Sequence, residues 1–288
     1  MDFRPRALAA LQTPDPETKV AVTLHLWADL QTLEPPTAAA PAHATWHTQP
    51  VPSPDPATLP GRPAQPLLIA PAQVPHRSPY TLEGRAALIH AICHIEFNAI
   101  NLALDAVWRF DGMPPDFYRD WLRVAQEEAQ HFTLLHDHLQ TLGHRYGDFA
   151  AHDGLWEMCE RTQDDITARM ALVPRTLEAR GLDATPLIQT RLRKVATPNA
   201  KGHCPAPDAL VACALLDIIL RDEIGHVAIG NHWYRWLCER SGLDPVAHYA
   251  TLVTRYRAPR LRPPFNDEAR RKAGFSQVEL DYLLSDAT

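Results

Sequence analysis

The chain has 288 residues, 45% of them hydrophobic and 22% charged, with a formal net charge of -6. That is enough apolar material for one large domain or two modest ones. The mild acidity argues against a broad nucleic-acid footprint. Five cysteines, Cys93, Cys159, Cys204, Cys213 and Cys238, make no CxxC pair. An odd count at wide spacing fits a reducing compartment better than a disulfide framework. Neither a basic start followed by an apolar core nor a run of eighteen apolar residues is visible, so the expectation is a cytoplasmic protein without a membrane span.

The first expected helix is short, roughly Pro16 to Leu33, with Val20, Leu24, Trp27 and Leu30 on one side. Residues 35 to 79 are proline-rich, from Pro35 and Pro36 to Pro75 and Pro79. Proline removes donors and restrains its predecessor, so this is an extended connector. Leu67, Leu68 and Ile69 favour its partial docking.

The body opens at Thr81, placed as a helix N-cap. A long helix runs from about Leu82 to Phe110 with Ile89, Cys93, Ile100, Ala103 and Val107 on its face. Met113-Pro114-Pro115 ends that run. A second covers about Asp116 to Leu142, and Trp121, Ala125, Phe132, Leu135, Leu139 and Leu142 keep a 3.6-residue rhythm. A third is expected from about Leu155 to Arg180, with a kink or a helix break at Pro174. Gly181 marks a stop, and Thr185-Pro186 reads as a fresh helix start continuing to Val195. A fourth long helix spans about Asp208 to Cys238. After Asp244 come one modest helix, an Arg/Pro-rich stretch from Arg257 to Phe265, and a last short helix near Ser276 to Leu284. No convincing strand appears, so the class is all-α. The expected layout is an N-terminal arm (1–80), a four-helix bundle (81–243) and a C-terminal extension (244–288).

Glu128-Ala-Gln-His131 and Glu223-Ile-Gly-His226 repeat one pattern on two of these helices. A carboxylate and an imidazole three residues apart share a helix face and can hold one metal ion. Two such pairs, with a glutamate from each of two further helices, form a dinuclear site in a bundle. A lone E-x-x-H is weak, since it recurs by chance as a surface glutamate beside a histidine. Placement strengthens it here. Glu96, Glu128 and Glu223 stand where the period calls for an apolar residue, and burying a carboxylate costs several kcal/mol unless something compensates.

Depth points the same way. Glu96 precedes Trp108 by twelve residues, and Glu128 follows Asp116 by twelve. Antiparallel helices at a rise of about 1.5 Å per residue bring the two level. For the fourth carboxylate Glu178 is favoured over Glu157 and Glu160, and it requires the third helix to continue past Gly181. Arg169 and Arg175 are either support for the site or surface residues. Asp222 and Glu127 adjoin ligands; Asp222 is the better placed to orient an imidazole, and Glu127 reads as solvent-facing. His90 and His94 stay outside the ligand set, because positions two apart do not face each other. Trp108, Trp156, Trp233 and Trp236 read as packing.

The metal pattern resembles the ferritin-like superfamily of carboxylate-bridged bundles. More closely, the chain is similar to a bacterial family of uncharacterised ferritin-like proteins known by a domain-of-unknown-function label. The segments that carry this are EGRAALIHAICHIEFNAINLALDAVWRF from Glu83, FYRDWLRVAQEEAQHF from Phe117, ARMALVPRTLEARGLD from Ala168, LRDEIGHVAIGNHW from Leu220 and the tail PPFNDEARRKAGF. The resemblance implies a ligand set of Glu96, Glu128, His131, Glu178, Glu223 and His226, and an arm (1–80) that wraps the bundle. It implies two iron ions, with manganese or a mixed pair as the alternatives.

By superfamily analogy Glu128 and Glu223 bridge the metals and count as the catalytic pair. The expected function is an oxygen-dependent oxidoreductase or hydroxylase of a small molecule, served by an external electron donor. A non-enzymatic metal-binding or structural protein is the second reading. A tRNA-modifying hydroxylase is the third, with Arg255, Arg257, Arg260 and Arg262 as a candidate basic patch that the negative total weakens. A homodimer is kept open.

Overall fold

A computed structural model describes residues 3–32, 51, 54–198, 202 and 204–286. Residues 35–50 and 52–53 of the proline-rich connector, and Leu33, lie outside the described residues. Among the described residues the structure is all-α, and the one extended pairing is an isolated bridge between Leu68 and Ala151. Two compact units are present: residues 1–77 with 86–156, and residues 78–85 with 157–288.

The first unit holds α1 (Arg4–Gln12), α2 (Pro16–Gln31), most of α3 (Leu82–Arg109) and α4 (Pro115–Thr141). α1 was not expected from the sequence. It has no side-chain cap, so the usual start signal is missing, yet Phe3, Ala7 and Leu11 are fully buried. α2 is capped by Asp15, which accepts from the Thr18 amide at 2.9 Å. Lys19 is wholly buried, and its ammonium donates to Leu11 O (3.0 Å), Gly61 O (2.9 Å) and the Asn101 carboxamide. It thereby ties α1, the connector and α3 together. A Cβ at Gly61 would fall 2.1 Å from Gln12 O, so only glycine lets the connector cross the end of α1 there. The connector docks through its backbone as well as through side chains such as Arg62, whose Nη2 pairs with Asp153 Oδ2 at 2.6 Å. Ile69 N donates to Ala151 O (2.9 Å), Ala151 N donates to Leu67 O (3.0 Å), and Leu67 itself is 60% exposed. α3 is long and apolar enough to cross a membrane by composition, but 72% of that stretch is buried in the fold.

The second unit carries the clearest departures from expectation. The third long helix is not continuous from Leu155. α5 (Gly154–Arg161) ends, and α6 (Ile166–Leu172) restarts at Asp165, which accepts from Ala168 N at 2.9 Å. Buried Arg169 spans this break, donating to Thr162 Oγ1 (2.9 Å) and Cys159 O (2.5 Å). From Val173 to Glu178 the helix widens into a π turn. Pro174 lacks an N–H and its ring crowds the carbonyl of the preceding turn, so widening relieves what would otherwise be a kink.

The helix then runs on as α7 (Ala179–Val195), straight through Gly181 and Pro186. The expected stop and restart do not occur. Pro186 cannot serve the carbonyl of Leu182, and Asn266 Nδ2 serves it instead at 3.1 Å. Asn266 also accepts from Ala269 N (3.2 Å) at the start of α10 (Asp267–Lys272). α8 (Pro207–Arg240), α9 (Pro245–Arg255) and α11 (Gln277–Asp286) complete the unit. Its core joins Ala179, Leu182, Val227, Phe275 and Leu280.

Candidate metal centre

In the first unit α3 and α4 bring Glu96, Glu128 and His131 together. The helices meet where Cys93 Sγ contacts Phe132 O (3.7 Å) and the Phe97 and Phe132 rings lie 5.6 Å apart. His131 Nδ1 is 3.2 Å from Glu128 Oε2 and 3.7 Å from Glu96 Oε2. Glu96, Glu128 and His131 are 3%, 0% and 1% exposed. Burial works against a charged imidazole, but Glu128 and then Glu96 outweigh it and push His131 up to about 11. The three can each offer a ligand atom, all within 4.8 Å of one another. Donors about 2.0–2.2 Å from one divalent ion lie up to about 4.4 Å apart, so small side-chain shifts let these residues hold a metal ion. Carboxylate and imidazole donors suit iron or manganese better than soft ions.

In the second unit Glu178, Glu223 and His226 are all buried. His226 Nδ1 is 3.7 Å from Glu223 Oε1 on α8. Glu178 closes the π turn, whereas Glu157 and Glu160 are exposed on α5. Of the three candidates for the third helix, Glu178 alone is buried. A π turn adds a residue to the local repeat, so no regular helical period predicts the face on which Glu178 falls.

The neighbours divide as follows. Glu127 takes Arg123 Nε at 2.9 Å, and Asp222 takes Arg221 Nε at 2.8 Å and Nη2 at 3.0 Å. Trp108, Trp156 and Trp233 are buried packing residues. His90 and His94 belong to a separate polar cluster on α3. His94 Nδ1 lies 2.9 Å from Tyr146 Oη, and Asn98 Nδ2 lies 3.1 Å from His94 Nε2. His90 Nε2 accepts from Gly147 N at 2.9 Å, and its ring stacks on Tyr146 at 5.4 Å.

Burial, with His144 adding to it and Asp148 opposing it, holds His90 down to about 4. As pH falls below the ordinary value of 6.5, the unfolded chain takes up this proton before the folded one does. Stability is full above 6.5 and is lost as pH falls towards 4, by about 2–3 kcal/mol for this one ring. An NMR titration of the imidazoles should show a His90 midpoint near 4, with a matching drop in denaturant midpoint between pH 7 and 4.5. A midpoint near 6 would refute the assignment.

Arg175 is ambiguous in the sequence, and nothing near it points to Glu279 as its partner. Both are buried, at 3% and 4% exposure, and they pair at 2.9 Å. The useful signal was a charged residue inside the apolar stretch Met170–Leu177, but its partner lies a hundred residues further on.

An all-helical chain with a buried carboxylate–imidazole cluster able to bind a metal ion is the class that this geometry defines. The chain belongs to the family described as protein of unknown function (DUF455), which it matches over residues 12–281. It is similar to a protein named "Uncharacterized protein" from Haemophilus influenzae (strain Rd). The two are 52% identical over 228 residues, covering 77% of this chain and 75% of the relative. No solved structure matches.

Proposed function

We propose that the chain is a ferritin-like dinuclear metal protein acting as an oxygen-dependent oxidoreductase or hydroxylase on a small molecule. The observation that carries this is the pair of buried sets, each of two glutamates and one histidine: Glu96, Glu128 and His131, and Glu178, Glu223 and His226. The two E-x-x-H elements fall at mid-helix on α4 and α8, and together with Glu96 and Glu178 they complete the ligand count of a dinuclear site.

Two iron ions are favoured, with manganese or a mixed pair fitting the same donors. When bound, the metals would supply dioxygen activation. The chain's own part is to present six ligands, to keep water away through the buried faces of α3 and α4, and to hold a proton between His131 and the two carboxylates when metal is absent. A polar cleft of about 600 Å³ in the first unit, lined by Asp15, His136, Gln140, His144 and Tyr146 among others, supports a small-molecule substrate. The Tyr146 ring packs on Phe132, 5.2 Å between centroids, one residue after His131.

Metal analysis of protein purified without chelator should find close to two iron or manganese ions per chain, and reduced protein should develop a transient absorption band on exposure to oxygen. A chain that takes up no transition metal after anaerobic reconstitution would sink the proposal.

A further inference from the structure

The π turn of the second unit is held from three sides. Arg175 lies over the rings of Phe275 (4.8 Å), Tyr234 (5.1 Å) and Tyr249 (5.2 Å). Its Nη1 donates to Asn231 Oδ1 at 2.7 Å, and its Nη2 pairs with Glu279 Oε1 at 2.9 Å. The other Glu279 oxygen takes Arg235 Nη2 (2.7 Å), Ser276 N (2.7 Å) and Ser276 Oγ (2.8 Å). Thr176, next in the turn, contacts Tyr249 Oη at 2.8 Å and returns its own hydroxyl to Ala171 O at 2.8 Å. Burial alone would push Glu279 up, but Arg175, Ser276 and Arg235 hold it below the usual carboxylate range.

These contacts exceed what a helix end needs. A buried ion pair is weak evidence for stability, because desolvation offsets much of the attraction, and its best-attested use is to fix one geometry among several. A π turn is the element here that needs such fixing. Its regular α-helical alternative would rotate everything after it by about a residue. Glu178 is the last residue of the turn.

We infer that Arg175 and Glu279 are positioning residues, a latch through which the C-terminal helix α11 locks the π turn and thereby fixes the placement of Glu178. Neither residue is a metal ligand in this scheme. The inference rests on the proposed function for its consequence in metal binding, but the latch itself is a property of the metal-free chain.

The test compares the full-length wild type, Glu279→Gln and a surface control, Lys272→Ala. Hydrogen exchange on metal-free protein should be at least tenfold faster over residues 173–178 in Glu279→Gln and unchanged over α4. Cobalt(II), titrated alone as a spectroscopic probe, should bind Glu279→Gln about 10–100-fold more weakly, the usual size of effect for a residue that supports a ligand. In a Glu178→Gln background the same substitution should add nothing further. Unchanged exchange over the turn, or a full additive loss of cobalt affinity in the double variant, would overturn the latch. Should Glu279→Gln fail to fold, Ser276→Ala removes a hydroxyl that holds Glu279 in place, and the same two readings apply. A wild type that takes no cobalt defeats the proposed function, and exchange alone then decides the latch.

Discussion

His131→Leu should destabilise the metal-free chain by about 3–5 kcal/mol, whereas replacing Glu96, Glu128 and His131 together by apolar residues should leave it as stable as the wild type or more so. The first substitution removes the imidazolium that faces two buried carboxylates at 3.2 and 3.7 Å. Those carboxylates must then bear their desolvation or take up protons. The triple variant removes the charges as a group and refills the space with apolar volume. Both variants should lose metal. Such opposite effects on stability and binding are the mark of residues kept for function at a cost to the fold. The measurement is denaturant unfolding of metal-free protein alongside metal content. A benign His131→Leu beside a crippled triple variant would mean that the cluster is there to stabilise the fold, and the metal proposal would lose its main support.

How much of this was legible in the sequence depends on how local each cause is. Glu128 stood out because Ala125 and Phe132 flank it on one helical stripe, and Glu223 because Leu216, Ile219 and Val227 do the same. Thr81 was readable as a cap, and its hydroxyl indeed accepts from Gly84 N at 3.0 Å. Most of the failures involve distant partners. Pro186 reads locally as a helix start, since nothing near it shows that Asn266, eighty residues on, serves the carbonyl it strands. Pro174 marks a disturbance of the helix, but whether it kinks, breaks or widens it is decided by what packs against it. His90 and His94 were visible as an i,i+4 pair on α3. Their hydrogen bonds to Tyr146 and Gly147 come from a loop that the helix pattern does not contain. α1 lacked a cap signal and went unseen.

Gly230→Ala sets two effects of opposite sign against each other, and their magnitudes decide the outcome. Glycine within a helix costs about 1 kcal/mol relative to alanine, so on propensity alone the substitution should stabilise α8. The new Cβ, however, would fall 2.6 Å from Pro174 Cβ and 2.7 Å from Pro174 Cγ. Those atoms belong to a ring fused to the backbone and cannot swing aside as a long side chain can. The turn or α8 must move, at a cost of about 1–3 kcal/mol for overpacking and more where the backbone resists. The ring cannot give way, so the clash wins, and a net loss of up to about 2 kcal/mol is expected. Gly230 lies seven residues after Glu223 on the same stripe of α8, and Glu178 lies four after Pro174. Displacement at this contact thus moves one carboxylate on each helix. Cobalt affinity should fall further than the loss of stability alone would cause, while Gly225→Ala, where a Cβ meets nothing within 4 Å, should raise stability slightly. Equal effects from the two alanines would show that the close approach of Pro174 to α8 does not constrain the site.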